Sequence, residues 1–417
     1  MKRNSLLLAT ALLIGMTGCK NTPVQKEAWI SNALDAASYQ LKSTAEELSG
    51  TSKFPRSIHS GYDVNFLDTQ LQRENKAYID SLHPNPEALQ LGQKRLCGIA
   101  DWTSGFFPGS LWYAYELTGD EELKKRAIEY TNILNPIREL KGTHDVGFMM
   151  NCSYGNALRL APNDTIKAVL VETADNLCAR FNPEIGCIRS WDFPVIIDNM
   201  MNLDLLFNVY KLTGDEKYKN VAVKHAQTTM KNHFRPDYTS YHVVSYNNDG
   251  SVEIKQTHQG KNAESAWSRG QAWGVYGYTS CYRETRDTAF LQEAVHIADM
   301  IMERVKTDDL IPYWDYDAPA GEKTPRDASA AAVTASAFLE LSTFAPDGKK
   351  YSDYAETILK NLSGPKYLAA KGSNQGYVLM HSTGSLPHGS EIDVPLNYAD
   401  YYYMEALKRY IDLKNKG

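Results

Sequence analysis

The sequence predicts an all-α chain closed into an (α/α)6 barrel, a toroid of six helical hairpins. Three observations carry the expectation. Apolar residues recur at helix period along most of the 417 residues, near-identical turns join the helices in pairs, and no ladder of alternating strands competes with them. Repeated αα-hairpins either stack as an open solenoid or close on themselves. A solenoid needs polar caps and a steady period, whereas the loops before the inner helices here are long and aromatic-rich, which favours closure.

In chain order, a helix is expected over 28–48. The region 50–100 is the least regular, with Pro55, Pro84 and Pro86, and is expected to wrap the outside or edge the mouth. Helices over 111–117 and 123–134 flank the turn Thr118-Gly119-Asp120-Glu121, and helices over 203–212 and 218–230 flank the same turn at Thr213-Gly214-Asp215-Glu216. Glycine fits the left-handed position just past a helix end, while Asp caps the next helix and Glu sits in its first turn. A looser version, Thr285-Arg286-Asp287, joins 276–284 to 289–305. Ala345-Pro346-Asp347-Gly348 joins 331–344 to 351–362, and helices over 156–180 and 398–413 complete the set.

Composition places the chain among globular proteins, with 43% hydrophobic and 23% charged residues. The first residues read as a secretory signal: Lys2 and Arg3, an apolar run from Leu6 to Ile14 too short to span a bilayer, then Met16-Thr17-Gly18-Cys19. Cys19 stands where a bacterial lipoprotein signal carries its lipidated cysteine; an ordinary cleaved signal with a coincidental cysteine is the alternative. The organisation expected is therefore a signal over 1–18, a lipidated tether over 19–26 and one catalytic barrel over 27–417, in the periplasm and touching the membrane through the lipid alone. Cys97, Cys152, Cys178, Cys187 and Cys281 form neither a disulfide framework nor a zinc pattern, although Cys178 and Cys187 are close enough in sequence to pair. A net charge of −6 argues against nucleic acid. No histidine spacing, phosphate loop or serine elbow suggests a metal or a nucleotide, so no cofactor is expected. A monomer or small homo-oligomer is expected.

Chemistry concentrates in a few segments. His258 to Trp273 packs Trp267, Trp273, Arg269, Gln259 and Gln271 into one stretch; indoles suit the apolar face of a pyranose, amides suit hydroxyls, and a guanidinium fork suits a carboxylate. Aromatic residues at helical spacing are also ordinary core. Asp198, preceded by Val195-Ile196-Ile197 and followed closely by Met200-Met201, is expected to lose hydration, which raises its pKa and keeps a proton available. A second carboxylate such as Asp145 would push it higher. Asp198 reads equally well as the cap of the helix running to Tyr210. His144 and His242 are hydroxyl donors or satisfied core histidines.

Together these segments resemble glycoside hydrolase family 88, the unsaturated glucuronyl hydrolases. The likeness runs from about Trp102 to the C-terminus, through Asp101-Trp102-Thr103-Ser104-Gly105-Phe106-Phe107-Pro108-Gly109, His144-Asp145, Ile188-Arg189-Ser190-Trp191-Asp192, Ile196-Ile197-Asp198, Tyr241-His242, the 259–273 segment and Glu391-Ile392-Asp393-Val394-Pro395. The resemblance implies an (α/α)6 barrel that removes the 4,5-unsaturated uronic acid left by lyases at the non-reducing end of glycosaminoglycan di- or oligosaccharides. It implies that Asp198 protonates C4 of the vinyl ether and then accepts a proton from the water adding to C5, while Asp145 holds ring hydroxyls and tunes Asp198. His144, His242, Gln259, Trp267, Arg269 and Trp273 would line the uronate pocket. Phe107 stands where many relatives carry Trp. Ser382 and Ser385 match a Ser-x-x-Ser-x-Lys loop linked to 6-sulfated substrates, with Pro387 in place of the Lys. Two other readings are an unsaturated rhamnogalacturonyl hydrolase acting on pectin fragments and a non-catalytic glycan-binding lipoprotein.

Overall fold

The structure, a computed structural model, describes residues 27–59, 92–191 and 194–416; the expected signal, the tether and Cys19 lie outside the described residues. Helices dominate it. In order, α1 spans Ala28–Glu47, α2 Phe106–Thr118, α3 Glu121–Ile133, α4 146–160, α5 Asp164–Cys178 and α6 Leu203–Thr213. Then come α7 Glu216–His233, α8 Ser268–Thr285, α9 Thr288–Arg304, α10 Ala328–Leu341, α11 Gly348–Leu362 and α12 Asn397–Lys416.

Burial sorts them into two rings. Every residue of α8 from Ser268 to Cys281 is buried, and α10 is buried throughout except at Glu340, as an element covered on all sides requires. By contrast α11 buries one stripe, Tyr351, Ala355, Ile358, Leu359 and Leu362, the spacing of a helix with one wet face. Even-numbered helices form the inner ring and odd-numbered helices the outer. The ring closes where α12 packs against both α10 and α2. Glu405 of α12 ties three inner helices together, accepting from Tyr113 of α2 at 2.9 Å, Tyr276 of α8 at 3.0 Å and Ser336 of α10 at 2.6 Å.

The repeated turns fold as their chemistry requires. Gly119 and Gly214 both take φ of 72°, and Asp120 and Asp215 accept from the amides of Glu122 and Lys217. Arg286 takes the same left-handed position at φ 59° with a side chain to carry. Two details depart from expectation. The helix expected over 156–180 breaks at Pro162, which has no N–H to continue the ladder, and Asn163 caps the new start by accepting from Ile166. Its first part joins 146–150 through a π-helical turn at Asn151–Gly155.

Short strands occur as well, among the described residues all in the connections that lead from an outer helix to the next inner one. Phe54–Ile58 (β1) pairs with Lys94–Cys97 (β2), Phe181–Asn182 (β3) with Cys187–Ile188 (β4), and Pro194–Ile196 (β5), Val243–Tyr246 (β6) and Val252–Gln256 (β7) make a three-stranded antiparallel sheet. All five described cysteines are free thiols, so Cys178 and Cys187 do not pair. Among the described residues no helix is long and apolar enough to cross a membrane.

Candidate active site

The N-terminal ends of the inner helices converge on one cavity of about 420 Å³. Five of the six deliver a side chain from the residues just before the first turn or within it: Trp102 ahead of α2, His144 and Asp145 ahead of α4, Asp198 ahead of α6, Arg269 in α8 and Tyr398 in α12. The positive ends of several helix dipoles thus face one space, which favours an anion in a protein whose net charge is −6. Trp191, His258 and Gln259 form one wall and Ser385, His388, Ser390 and Glu391 another.

Asp198 sits inside the 3-10 turn Ile197–Asn202, 9% exposed, and caps nothing. The helix running to Tyr210 thus starts without Asp198 as its cap. Burial pushes its carboxyl up to about 7; the Arg269 charge pulls it down, Asp145 pushes it up, and the indole N–H of Trp273 pulls it down without closing a hydrogen bond of good geometry. Its Oδ2 is buried without a partner and faces Nε2 of His242 at 3.6 Å. The amides of His258 and Gln259 both donate to His242 Nδ1, at 3.0 and 3.2 Å, so the imidazole hydrogen resides on Nε2 and points at that oxygen. Burial and the neighbouring His258 hold His242 well below the ordinary histidine range, hence neutral. A proton on Asp198 therefore belongs on Oδ1.

His144 has the opposite tautomer. Its Nδ1 donates to the Ser190 carbonyl at 3.2 Å, leaving Nε2 to face Asp145 Oδ1 at 3.3 Å. Burial lowers its pKa. The buried side-chain atoms without a hydrogen-bond partner include His144 Nε2, Asp198 Oδ2 and His242 Nε2, all on residues that line this cavity, and Trp273 Nε1 beside Asp198. Native proteins seldom leave such groups unpaired, so a cluster of them marks a place built for a polar guest. A larger cavity of about 980 Å³, lined by Tyr313, Arg326, Lys366, His381 and Asp393 among others, has none among its lining residues.

Several expected site residues take other places. Arg269 is 1% exposed and its fork is occupied, by Asp327 Oδ2 and the Thr383 carbonyl on Nη1 and by the Gly384 carbonyl on Nη2, each at 2.6 Å. It acts on the cavity by charge and by pinning the 383–384 segment, and offers no free fork for a sugar carboxylate. Gln259 lines the cavity with its amide donating to Gly384 at 3.1 Å. Trp267 lies beneath, its ring 4.6 Å from that of His242 and 4.6 Å from the Arg269 guanidinium. Trp273 backs Phe148 at 5.4 Å. Phe107 points away, against Tyr130 at 4.9 Å in the outer layer, and the aromatic wall comes from Trp102, Phe148 and Tyr398 instead. Ser382 is buried behind the wall, paired through its backbone with Val394. Ser385 does reach the cavity, its Oγ 2.9 Å from His388 Nδ1.

Arg56 and His388 were missed, since no local pattern marks them, and Glu391, although it opens a segment that carries the resemblance, was not expected at the cavity. Arg56 arrives from β1 and pairs with Asp101 at 2.5 Å and Glu391 at 2.8 Å. Trp191 carries a signal that could have found it, a tryptophan inside a polar loop; it is 46% exposed at the rim.

Comparison with known proteins follows the same geometry. A family described as glycosyl hydrolase family 47 matches residues 274–416, a stretch that excludes both Asp145 and Asp198, and a domain of unknown function matches 1–73. An unsaturated glucuronyl hydrolase of Formosa agariphila is 47% identical over 319 residues, covering 74% of this chain and 80% of its own length. An unsaturated chondroitin disaccharide hydrolase of Streptococcus agalactiae is 32% identical over 359 residues, covering 81% and 87%. The crystal structure of an unsaturated glucuronyl hydrolase specific for heparin superposes with a TM-score of 0.83 at 47% identity, covering 93% of this chain and 98% of that one.

Proposed function

The chain belongs to the unsaturated glucuronyl hydrolases, and from that premise we propose that it is a family 88 glycoside hydrolase acting on lyase-cut glycosaminoglycan fragments. The enzyme hydrates the C4=C5 double bond of the terminal unsaturated uronic acid. One observation carries the assignment of chemistry: Asp198 is a buried carboxyl held near 7, with one oxygen turned to a fixed imidazole N–H and the other to the cavity. The sequence of events follows from that group. Asp198 gives its proton to C4, the C4=C5 electron pair forms the new C–H bond, and C5 becomes an oxocarbenium centre. Water adds to C5 and returns a proton to Asp198, so the acid is regenerated. The C5 hemiketal then opens and the aglycone leaves. Between the two transfers the Asp198 carboxylate is stabilised by the His242 Nε2–H, the Trp273 N–H and the Arg269 charge, groups already in place before the reaction. Asp145, about one-fifth exposed, holds ring hydroxyls beside it.

The lipid on Cys19 and a periplasmic location belong to the same proposal, supported by Lys2, Arg3 and the short apolar run ahead of Cys19. The test of function is a screen of unsaturated disaccharides from heparin, chondroitin, hyaluronan and pectin, followed by loss of the ultraviolet absorbance of the conjugated uronate. Heparin products come first because the 47% identical structure carries that specificity. Turnover of pectin products alone would reassign the enzyme to rhamnogalacturonan, and binding without absorbance loss would make it a glycan-binding protein.

A further inference from the structure

Asp198 and Asp145 stand on separate segments of chain, and one side chain locks those segments together. Asn202, fully buried at the end of the Asp198 turn, accepts from the amide of Phe148 at 2.8 Å, a first-turn donor of α4 three residues past Asp145. Its own amide donates to Asn199 Oδ1 at 3.4 Å, and Asn199 donates to the Ile188 carbonyl at 2.8 Å. Close approach is possible because residue 147 is glycine. A Cβ there would stand 2.4 Å from Asn202 Oδ1 and 2.6 Å from its Cα, and the Cα cannot swing aside as a flexible side chain could.

We infer that Asn202, seated against Gly147, is a positioning residue that sets the separation of Asp145 and Asp198, and through it the pH range over which Asp198 can donate its proton. The inference rests on the proposed roles of the two acids. The charged and titratable groups facing Asp198 come from every element around it: Asp145 from the start of α4, His242 from the edge of β6, and Arg269 from α8. Of these, Asp145 is the one that favours the protonated form, and it is the one whose distance the Asn202 clamp controls. Arg269 is anchored elsewhere, through Asp327 and two carbonyls, so loosening the clamp changes the Asp145 contribution and leaves the opposing charge in place.

The experiment compares kcat and KM against pH for wild type, Asn202→Ala, Asn202→Asp and Gly147→Ala, with thermal unfolding of each, on a disaccharide the wild type turns over. As Asp145 recedes, the alkaline limb of kcat should move to lower pH by about one unit in Asn202→Ala and Gly147→Ala. KM should change less than kcat. Asn202→Asp keeps the acceptor for Phe148 and adds a negative charge, so its limb should move to higher pH. A merely structural Asn202 predicts lower melting temperatures with all four limbs superimposed, and that result overturns the clamp. Should Asn202→Ala fail to fold, Gly147→Ala and Asn202→Asp still oppose each other in sign. Failure of the underlying reading looks different: Asp198→Asn would then retain turnover, whatever the clamp variants do.

Discussion

The two ends of the barrel are both lined by buried or half-buried charged side chains, and they treat them oppositely. At the end away from the substrate cavity, a void of about 180 Å³ is bordered by Tyr113, Asp204, Arg283, Glu405 and Arg409, among others. Every charge there has a partner: Arg283 reaches Asp204 at 2.7 Å, Glu284 at 2.7 Å and Glu340 at 2.8 Å, and Arg409 reaches Glu340 at 3.1 Å. Burial would push Glu340 up, but Arg409 and Arg283 hold it below its ordinary range. No lining side chain has a buried polar atom left over. At the other end, Asp198, His144, His242 and Trp273 each keep one. Low exposure of charge is thus common to both ends and says little about chemistry; incomplete pairing distinguishes the end where the reaction is proposed from the end that is fully paired.

Variants at the two ends should separate activity from stability. The largest effect is expected for Asp198→Asn, which keeps shape but cannot donate and recover a proton: kcat should fall by roughly 10³-fold or more with substrate binding largely retained, as single-turnover absorbance and calorimetric binding would reveal. Near-normal turnover would remove Asp198 from the reaction. The same variant carries a stability signature whose sign is fixed. In the folded chain Asp198 keeps its proton up to about pH 7, whereas unfolded it loses it near the ordinary value of 3.8, so wild-type stability falls as pH rises between those limits. Asn202 and the rest of the turn being unchanged, Asp198→Asn should melt higher than wild type at pH 7 and above, with the gap closing toward pH 4.

Next in size, Glu405→Met should destabilise by about 3 kcal/mol, because Tyr113, Tyr276 and Ser336 lose their acceptor and Arg409 loses a counter-charge. Turnover per folded molecule should hold; a specific loss of kcat would erase the distinction between the ends. The smallest change is Arg286→Gly, which relieves a left-handed backbone at a turn whose two sisters already use glycine, and should raise stability by about 1 kcal/mol or less in denaturant titrations.

Legibility of the sequence followed the range of the forces involved. Helix pairs and their turns were readable because Thr-Gly-Asp-Glu is a local instruction, and the break at Pro162 was readable in principle for the same reason. Asp198 announced itself through its own apolar neighbours. Arg269 did not, because what decides its role lies 58 positions away at Asp327 and farther still at Thr383 and Gly384. Phe107 was misplaced because helical spacing does not say which face of a wholly buried helix turns to the cavity and which, as here, to Tyr130 in the outer layer. Arg56, His388 and Glu391 come from connections with no period at all; Glu391 even adopts φ of 57°, a conformation that no residue type at that position foretells.

The connections themselves divide by end. Links from inner to outer helices are tight, as at 118–121, 213–216 and 285–288, whereas those from outer to inner, such as 179–202, 234–267 and 363–396, are long and supply the cavity walls. Insertions, deletions and exchanges on the long side can therefore reshape what the cavity accepts while the short side keeps the helices in register. A lineage built on this plan can acquire new sugar preferences by trading rim segments, with its folding instructions left untouched.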